Sequence, residues 1–177
     1  MDVSTKYPSS ESVPRWRLSP KEKRVTFVFL ASLLIGAAVA GRIAVVTSES
    51  IDHRVFFLGK KAGSVGKGDY LVFNKDGAHV FMQKSLKEHD RLLKKVGCVP
   101  GEALKVDEAL NYTCNGELLG QALTADSKGR PLSPFIFNGV VPAGNYFMVG
   151  THPRSYDSKY YGFINEHDFL YKASPIW

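Results

Sequence analysis

Lys94-Lys95-Val96-Gly97-Cys98-Val99-Pro100-Gly101-Glu102, entered through Leu92-Leu93, reads as a lysine-bearing strand that stops at a turn. Adjacent strand residues face opposite sides of a sheet, so one lysine of the pair can point inward while the other is solvated. Leu92, Leu93, Val96 and Val99 supply an apolar surround for the inward one. Pro100-Gly101 then closes the strand, with glycine available for a positive φ. A free lysine is overwhelmingly protonated at neutral pH. Poising it near 7 takes roughly 3.4 pKa units, about 4.6 kcal/mol against the ammonium form. Burial away from a carboxylate supplies displacements of that order.

Upstream stands Ser50, in Thr47-Ser48-Glu49-Ser50-Ile51, just past a long apolar stretch. A serine and a neutral lysine within hydrogen-bond reach can run acyl transfer without a histidine. The plainer alternative is a polar exit from the apolar stretch and an ordinary basic strand edge.

The apolar stretch, Val25–Val46, reads VTFVFLASLLIGAAVAGRIAVV and is broken only by Arg42. As a helix it is roughly 33 Å long, sufficient to cross a bilayer core, and Arg42 can snorkel to the interface. Arg15, Arg17, Lys21, Lys23 and Arg24 precede it, whereas Arg42 and Arg54 are balanced by Glu49 and Asp52 beyond it. That bias predicts a cytoplasmic tail over 1–24, a transmembrane helix over 25–46, and residues 47–177 on the far side of the membrane. Ala38-Val39-Ala40 also fits a signal-peptide cleavage pattern, the competing reading of the same stretch.

The formal charge of +6 is unevenly placed. Residues 1–24 carry six Lys/Arg against three Asp/Glu; from totals of 23 and 17 this leaves 17 against 14 elsewhere. Nucleic-acid binding asks for a basic stripe with stacking aromatics, and the aromatics here alternate with aliphatics as in strands. His53, His79, His89, His152 and His167 show no metal-ligand spacing. Ala62-Gly63-Ser64-Val65-Gly66 departs from the G-x-S-x-G nucleophile elbow at its first position. Gly66-Lys67-Gly68 lacks the frame of a phosphate loop. No metal, cofactor or nucleic acid is expected.

Short apolar or alternating runs at 55–58, 70–74, 78–82, 92–99, 104–106, 112–114, 135–137, 146–150 and 169–171 predict strands. Asp76-Gly77, Asn115-Gly116 and Asn138-Gly139 are turn pairs, 85–90 is a polar loop or helical turn, and 126–134 a surface loop. Residues 1–18 have the composition of a disordered tail. Many short strands without a long amphipathic helix predict a mainly β domain, barrel or sandwich-like.

Taken in order, the Ser50 segment, Gly68-Asp69-Tyr70-Leu71-Val72-Phe73, the Lys94 segment, and Ser155-Tyr156-Asp157-Ser158-Lys159-Tyr160-Tyr161-Gly162-Phe163-Ile164 resemble the motifs of the signal peptidase I family. The nearer resemblance is to its compact TraF-type conjugative-transfer branch, because residues 103–149 are too few for the extra domain of larger signal peptidases. The resemblance implies a small signal-peptidase-like β domain behind one membrane helix. It makes Ser50 the nucleophile and Lys94, not Lys95, the base. It gives the Ser48 hydroxyl and the Ser50 N–H to the oxyanion, sets Ser155 beside the lysine amine, and has Asp157 order its turn by pairing with Lys159. The implied substrate is an exported precursor, in this branch a conjugative pilin precursor, sometimes released by cyclisation. A general signal peptidase and an inactive membrane-anchored assembly factor are the alternatives. Asp52 stands where the family carries proline, Glu102 where it carries Asp, and Lys159 where it carries Arg. The two cysteines, Cys98 and Cys114, fall on the side expected to be oxidising, which favours a disulfide over two buried thiols.

Overall fold

The computed structural model describes residues 19–60, 63–74 and 91–177. The expected tail over 1–18, the strand at 78–82, the Asp76-Gly77 turn and the 85–90 loop lie outside them. The chain divides into two compact units, 1–41 and 42–177.

The first unit is helix α1, Pro20–Ala40. Ser19 caps it reciprocally: its hydroxyl accepts from the Glu22 N–H, and the Glu22 carboxylate accepts from the Ser19 N–H at 2.7 Å. Pro20 takes the first helical position, where its missing N–H costs nothing. The helix is long and apolar enough to cross a membrane.

The expected span over 25–46 needs correction at both ends. The helix starts earlier, at the Ser19 cap, and stops at Ala40 with Gly41 as its C-cap. Ile43–Val45 forms strand β1, pairing Ile43 with Phe57 and Val45 with Val55 of β2, Val55–Leu58. Apolar runs do not by themselves separate helix from strand. Here β-branched residues and an available sheet edge decide for the strand. Arg42 goes with them, its carbonyl accepting from the Leu58 N–H.

The other strands are β3 (Tyr70–Asn74), β4 (Arg91–Cys98), β5 (Ala103–Val106), β6 (Asn111–Cys114), β7 (Glu117–Gln121), β8 (Gly139–Val140), β9 (Asn145–Val149), β10 (Ile164–Asn165) and β11 (Phe169–Pro175). They form a seven-stranded sheet in the order β1-β2-β11-β3-β4-β9-β10 and a four-stranded sheet in the order β7-β6-β5-β8. The fold is therefore mainly β, as the turn-punctuated pattern predicts. The small sheet fills the stretch between the two motifs at Glu102 and Gly150. Central strand β3 is buried on both faces, which explains its unbroken apolar run. Leu71 and Phe73 pack with Val96, Met148 and Ile164 on one side. Tyr70 and Val72 pack with Ile51, Phe56 and Ala173 on the other. A third cluster joins Cys98, Leu104, Tyr112, Cys114, Val141 and Phe147.

Asn115-Gly116 is a hairpin turn with φ of 49° and 86°, the pair of positive values that a two-residue turn between twisted strands requires. Its second strand, β7, lacks alternation and was invisible as a pattern. Phe135–Phe137, expected as a strand, is extended without a ladder. Phe135 and Phe137 instead stack on each other and meet Phe163 edge-on. The strand lies just beyond, at Gly139–Val140.

A disulfide joins Cys98, at the end of β4, to Cys114, at the end of β6, with Cα atoms 5.7 Å apart. It ties the two sheets together. Closing a loop of this size removes unfolded-state entropy worth about 3 kcal/mol. The double variant Cys98→Ala/Cys114→Ala is expected to lose stability of that order in urea unfolding. An unchanged midpoint would show that the bond contributes nothing.

Candidate active site

Lys94 sits in the middle of β4, opposite Leu71 on β3. On its other side Lys95 pairs with Val149 and Val96 with Met148 of β9. Continuing that register brings Gly150 across from Lys94. The strand's alternation puts Lys94 in the row of Leu92 and Val96, facing the core, where it is 4% exposed; Lys95 is only half-buried. Of the adjacent lysines, Lys94 is the inward one.

Gly150 makes room for what surrounds the amine. A Cβ there would overlap the Ser155 hydroxyl and stand 2.6 Å from the Ser50 carbonyl oxygen. Into that space Ser155 brings its Oγ, which accepts from Lys94 Nζ at 3.0 Å. The Ser50 carbonyl accepts from the N–H groups of Thr151 (3.0 Å) and His152 (3.4 Å). Ser50 Oγ shares a hydrogen bond with Ser48 Oγ at 2.9 Å. No direct hydrogen bond links the Ser50 and Lys94 side chains; Ser155 is the hydroxyl that Lys94 touches. Without substrate, catalytic hydrogen bonds are often long and tighten only in the complex.

The segment after Gly150 straps back onto the end of β9. Asp157, fully buried, accepts from the Gly150 N–H at 2.9 Å, the Lys159 N–H at 3.0 Å and Lys159 Nζ at 2.6 Å. It also caps the short helix α2, Ser158–Tyr161. Ser158 Oγ accepts from the Met148 N–H at 2.8 Å. These anchors place Ser155 against the lysine. Gly150 and the two amides that follow it are the contact between the Ser50 loop and the lysine strand. Glu102, in the turn after β4, accepts from the Val99 N–H at 2.9 Å.

Burial drives the Lys94 pKa down from 10.5 to about 8; Asp157 opposes that shift and the Lys159 charge assists it. The carboxylate that favours the protonated form of Lys94 is paired with Lys159. Cys98, Glu102 and Cys114 bring three potential metal donors within 4.8 Å of one another. Both sulfurs are committed to the disulfide, so they do not form the thiolate pair a zinc site uses.

The family profile described as signal peptidase, peptidase S26, matches residues 22–177. A conjugal transfer protein TraF of Agrobacterium fabrum is 28% identical over 89% of this chain and 97% of its own length. A second TraF, from Agrobacterium tumefaciens, is 23% identical over 85% and 90%. A probable signal peptidase I-2 of Synechocystis is 29% identical over 60% of this chain and 45% of its own. Among solved structures, a signal peptidase I from Enterococcus faecalis covers 63% of this chain and 98% of its own with a TM-score of 0.40 and 22% identity.

A lysine whose folded pKa lies below its unfolded value makes stability rise with pH between the two. From about pH 8 to 10.5 the unfolded chain holds a proton that the native one has shed. Below that window the buried ammonium costs about 3 kcal/mol, at about 1.4 kcal/mol per pKa unit. Lys94→Met is therefore expected to be more stable than the parent at pH 6–7, with the gap narrowing as pH approaches 10.5. Urea unfolding at a series of pH values reads this directly, and a pH-independent gap contradicts a depressed lysine.

Proposed function

Because the chain belongs to the signal peptidase, peptidase S26 family, we propose that it is a membrane-anchored serine endopeptidase with Ser50 as nucleophile and Lys94 as general base. Family membership supports a serine-peptidase kind of activity; the dyad is the finer reading. One observation carries it. A lysine is buried with no ion pair among the described residues, donates to Ser155, and faces the glycine against which the Ser50 backbone is seated.

In this mechanism Ser50 Oγ attacks the scissile carbonyl as its proton passes to neutral Lys94. The oxyanion is held by the Ser50 N–H and the Ser48 hydroxyl, already 2.9 Å from Ser50 Oγ. Collapse breaks the peptide bond, and the Lys94 ammonium returns its proton to the departing amine. The acyl group now rests on Ser50 as an ester. Water then releases a linear product; an unprotonated substrate amine releases a circular one, provided it is held at high effective concentration. Ser155 orients the lysine amine, and Asp157 fixes the segment that carries Ser155.

Helix α1 and the family are consistent with membrane anchoring. Basic Lys21, Lys23 and Arg24 lie at its start and none lies in its last turn, which supports a cytoplasmic N-terminus and a periplasmic β unit at the inner membrane. Ile43, Val45, Phe57 and Ile176 stay exposed on the β unit, an apolar surface suited to a lipid interface. The substrate is then an exported precursor protein. The two relatives named conjugal transfer protein TraF, matched over most of their length, favour a conjugative pilin precursor. The shorter match to a probable signal peptidase favours general signal-peptide removal as the second reading.

Ser50→Ala and Lys94→Met are each expected to abolish precursor cleavage, with the double variant no worse because the two act as a unit. Lys95→Ala retains cleavage. With the parent, kcat/KM should climb as pH rises through about 8, following loss of the Lys94 proton. Wild-type cleavage by Ser50→Ala would refute Ser50 as the nucleophile, and a parent that cleaves no precursor would leave an assembly role. For the product, intact mass decides: a circular pilin, the outcome expected here, is one water lighter than the linear chain. An N-terminus readable by Edman degradation refutes cyclisation.

A further inference from the structure

Two residues past the proposed nucleophile stands Asp52, whose Oδ1 accepts from the Tyr70 hydroxyl at 3.1 Å. Tyr70 opens β3, the strand beside the one that carries Lys94, and is 8% exposed. Burial first, and the Asp52 carboxylate second, push its phenol up to about 12, so it remains a donor throughout the neutral range. His53 meets the rings of Tyr70 and Phe56 edge-on, at 5.9 and 6.1 Å between centroids. Ile51 is buried in the same cluster.

The Ser50 loop is thus gripped at several points. Its base is closed by the Val46 N–H on the Arg54 carbonyl at 2.8 Å, and the Ser50 carbonyl is held by Thr151 and His152. Among the described residues, the only side-chain hydrogen bond that leaves the loop between Ser50 and Arg54 is Asp52 to Tyr70. Proline at this position would fix φ through its ring; aspartate leaves φ free, so the restraint must come from a contact.

We propose that the Asp52–Tyr70 hydrogen bond is a latch that fixes the nucleophile turn, making Asp52 and Tyr70 positioning residues for Ser50. The proposal rests on the reading of Ser50 as nucleophile. Its logic is geometric: a reacting oxygen displaced by about an ångström can lose up to about a hundredfold in rate, and the latch pins the turn to the sheet that carries the base. Tyr70→Phe keeps the ring and removes only the donor. Asp52→Ala removes the acceptor from an exposed site. Both changes spare the core. Asp52→Asn keeps an acceptor oxygen and serves as the conservative rescue.

The test uses the full chain in detergent micelles, with a purified conjugative pilin precursor as the probe and amide exchange as a substrate-free readout. Tyr70→Phe and Asp52→Ala should each lower kcat about tenfold with KM within about twofold, and the double variant should match the singles rather than multiply them. Asp52→Asn should stay near the parent. Amides in residues 46–54 should exchange at least about tenfold faster in both single variants, while β4 and β9 keep parental protection. Multiplying kcat effects, a loss carried by KM, or unchanged exchange in 46–54 for Tyr70→Phe overturns the latch. If Ser50→Ala cleaves as the parent does, or the parent leaves the precursor intact, the dyad or the substrate reading fails. Exchange in 46–54 then decides the latch by itself.

Discussion

A buried lysine that makes no salt bridge among the described residues is the constraint around which this β unit is arranged. Lys94 stands in the row of Leu92 and Val96, and burial lowers its pKa to about 8. The nearby Asp157 carboxylate opposes that effect, because an opposite charge favours the ammonium form. Lys159 offsets part of it by taking the carboxylate at 2.6 Å and adding a like charge near Lys94. A buried ion pair is weak evidence for stability, since desolvating both partners can exceed their attraction. Here the Asp157–Lys159 pair has a second consequence, which is to leave Lys94 unpaired.

The sheets hold that arrangement through a few backbone decisions. β4 belongs to the large sheet for most of its length, then reaches the small one through Cys98. The same strand therefore presents Lys94 and anchors the disulfide to β6. Its pairing with β9 shifts register between Val96 and Cys98, while β9 ends at Val149 just before Gly150. Tyr112 stacks on Phe147 at 5.5 Å between the two sheets, so the strand opposite Lys94 is backed by packed rings. Rigid elements on both sides of the lysine are what a preorganised proton acceptor requires.

Much of this was legible because it is local. The strands at 55–58 and 70–74 have the predicted bounds, set by alternation or a continuous apolar run between turn residues. The inward direction of one lysine followed from strand alternation, and the motif order supplied which one. What failed was non-local. Ile43–Val45 looks like more helix until β2 offers its edge, and Phe135-Ile136-Phe137 is apolar throughout as a short strand can be, yet finds aromatic neighbours instead of a ladder. The Asp52–Tyr70 bond joins residues 18 apart whose meeting depends on how the Ser50 loop folds over β3. Gly150 shows the same limit, since a glycine in a sequence does not reveal which two groups require its missing side chain.

Three departures from the family pattern, at positions 52, 102 and 159, look in sequence like erosion. In the folded chain each has a partner. Asp52 meets Tyr70, Glu102 reaches the Val99 amide, and Lys159 keeps Asp157 with both its ammonium and its own N–H. Lysine in place of arginine gives up the planar fork and holds the carboxylate with its ammonium alone, beside the N-cap bond that the backbone N–H makes. Energetics point the same way. A protein serving only as scaffold would be more stable with an aliphatic residue at 94, because the ammonium costs about 3 kcal/mol at neutral pH, a large share of a domain's total stability. A lysine held without a salt bridge among the described residues at that cost, against a serine loop secured to the neighbouring strand, supports the proposed use of its neutral amine.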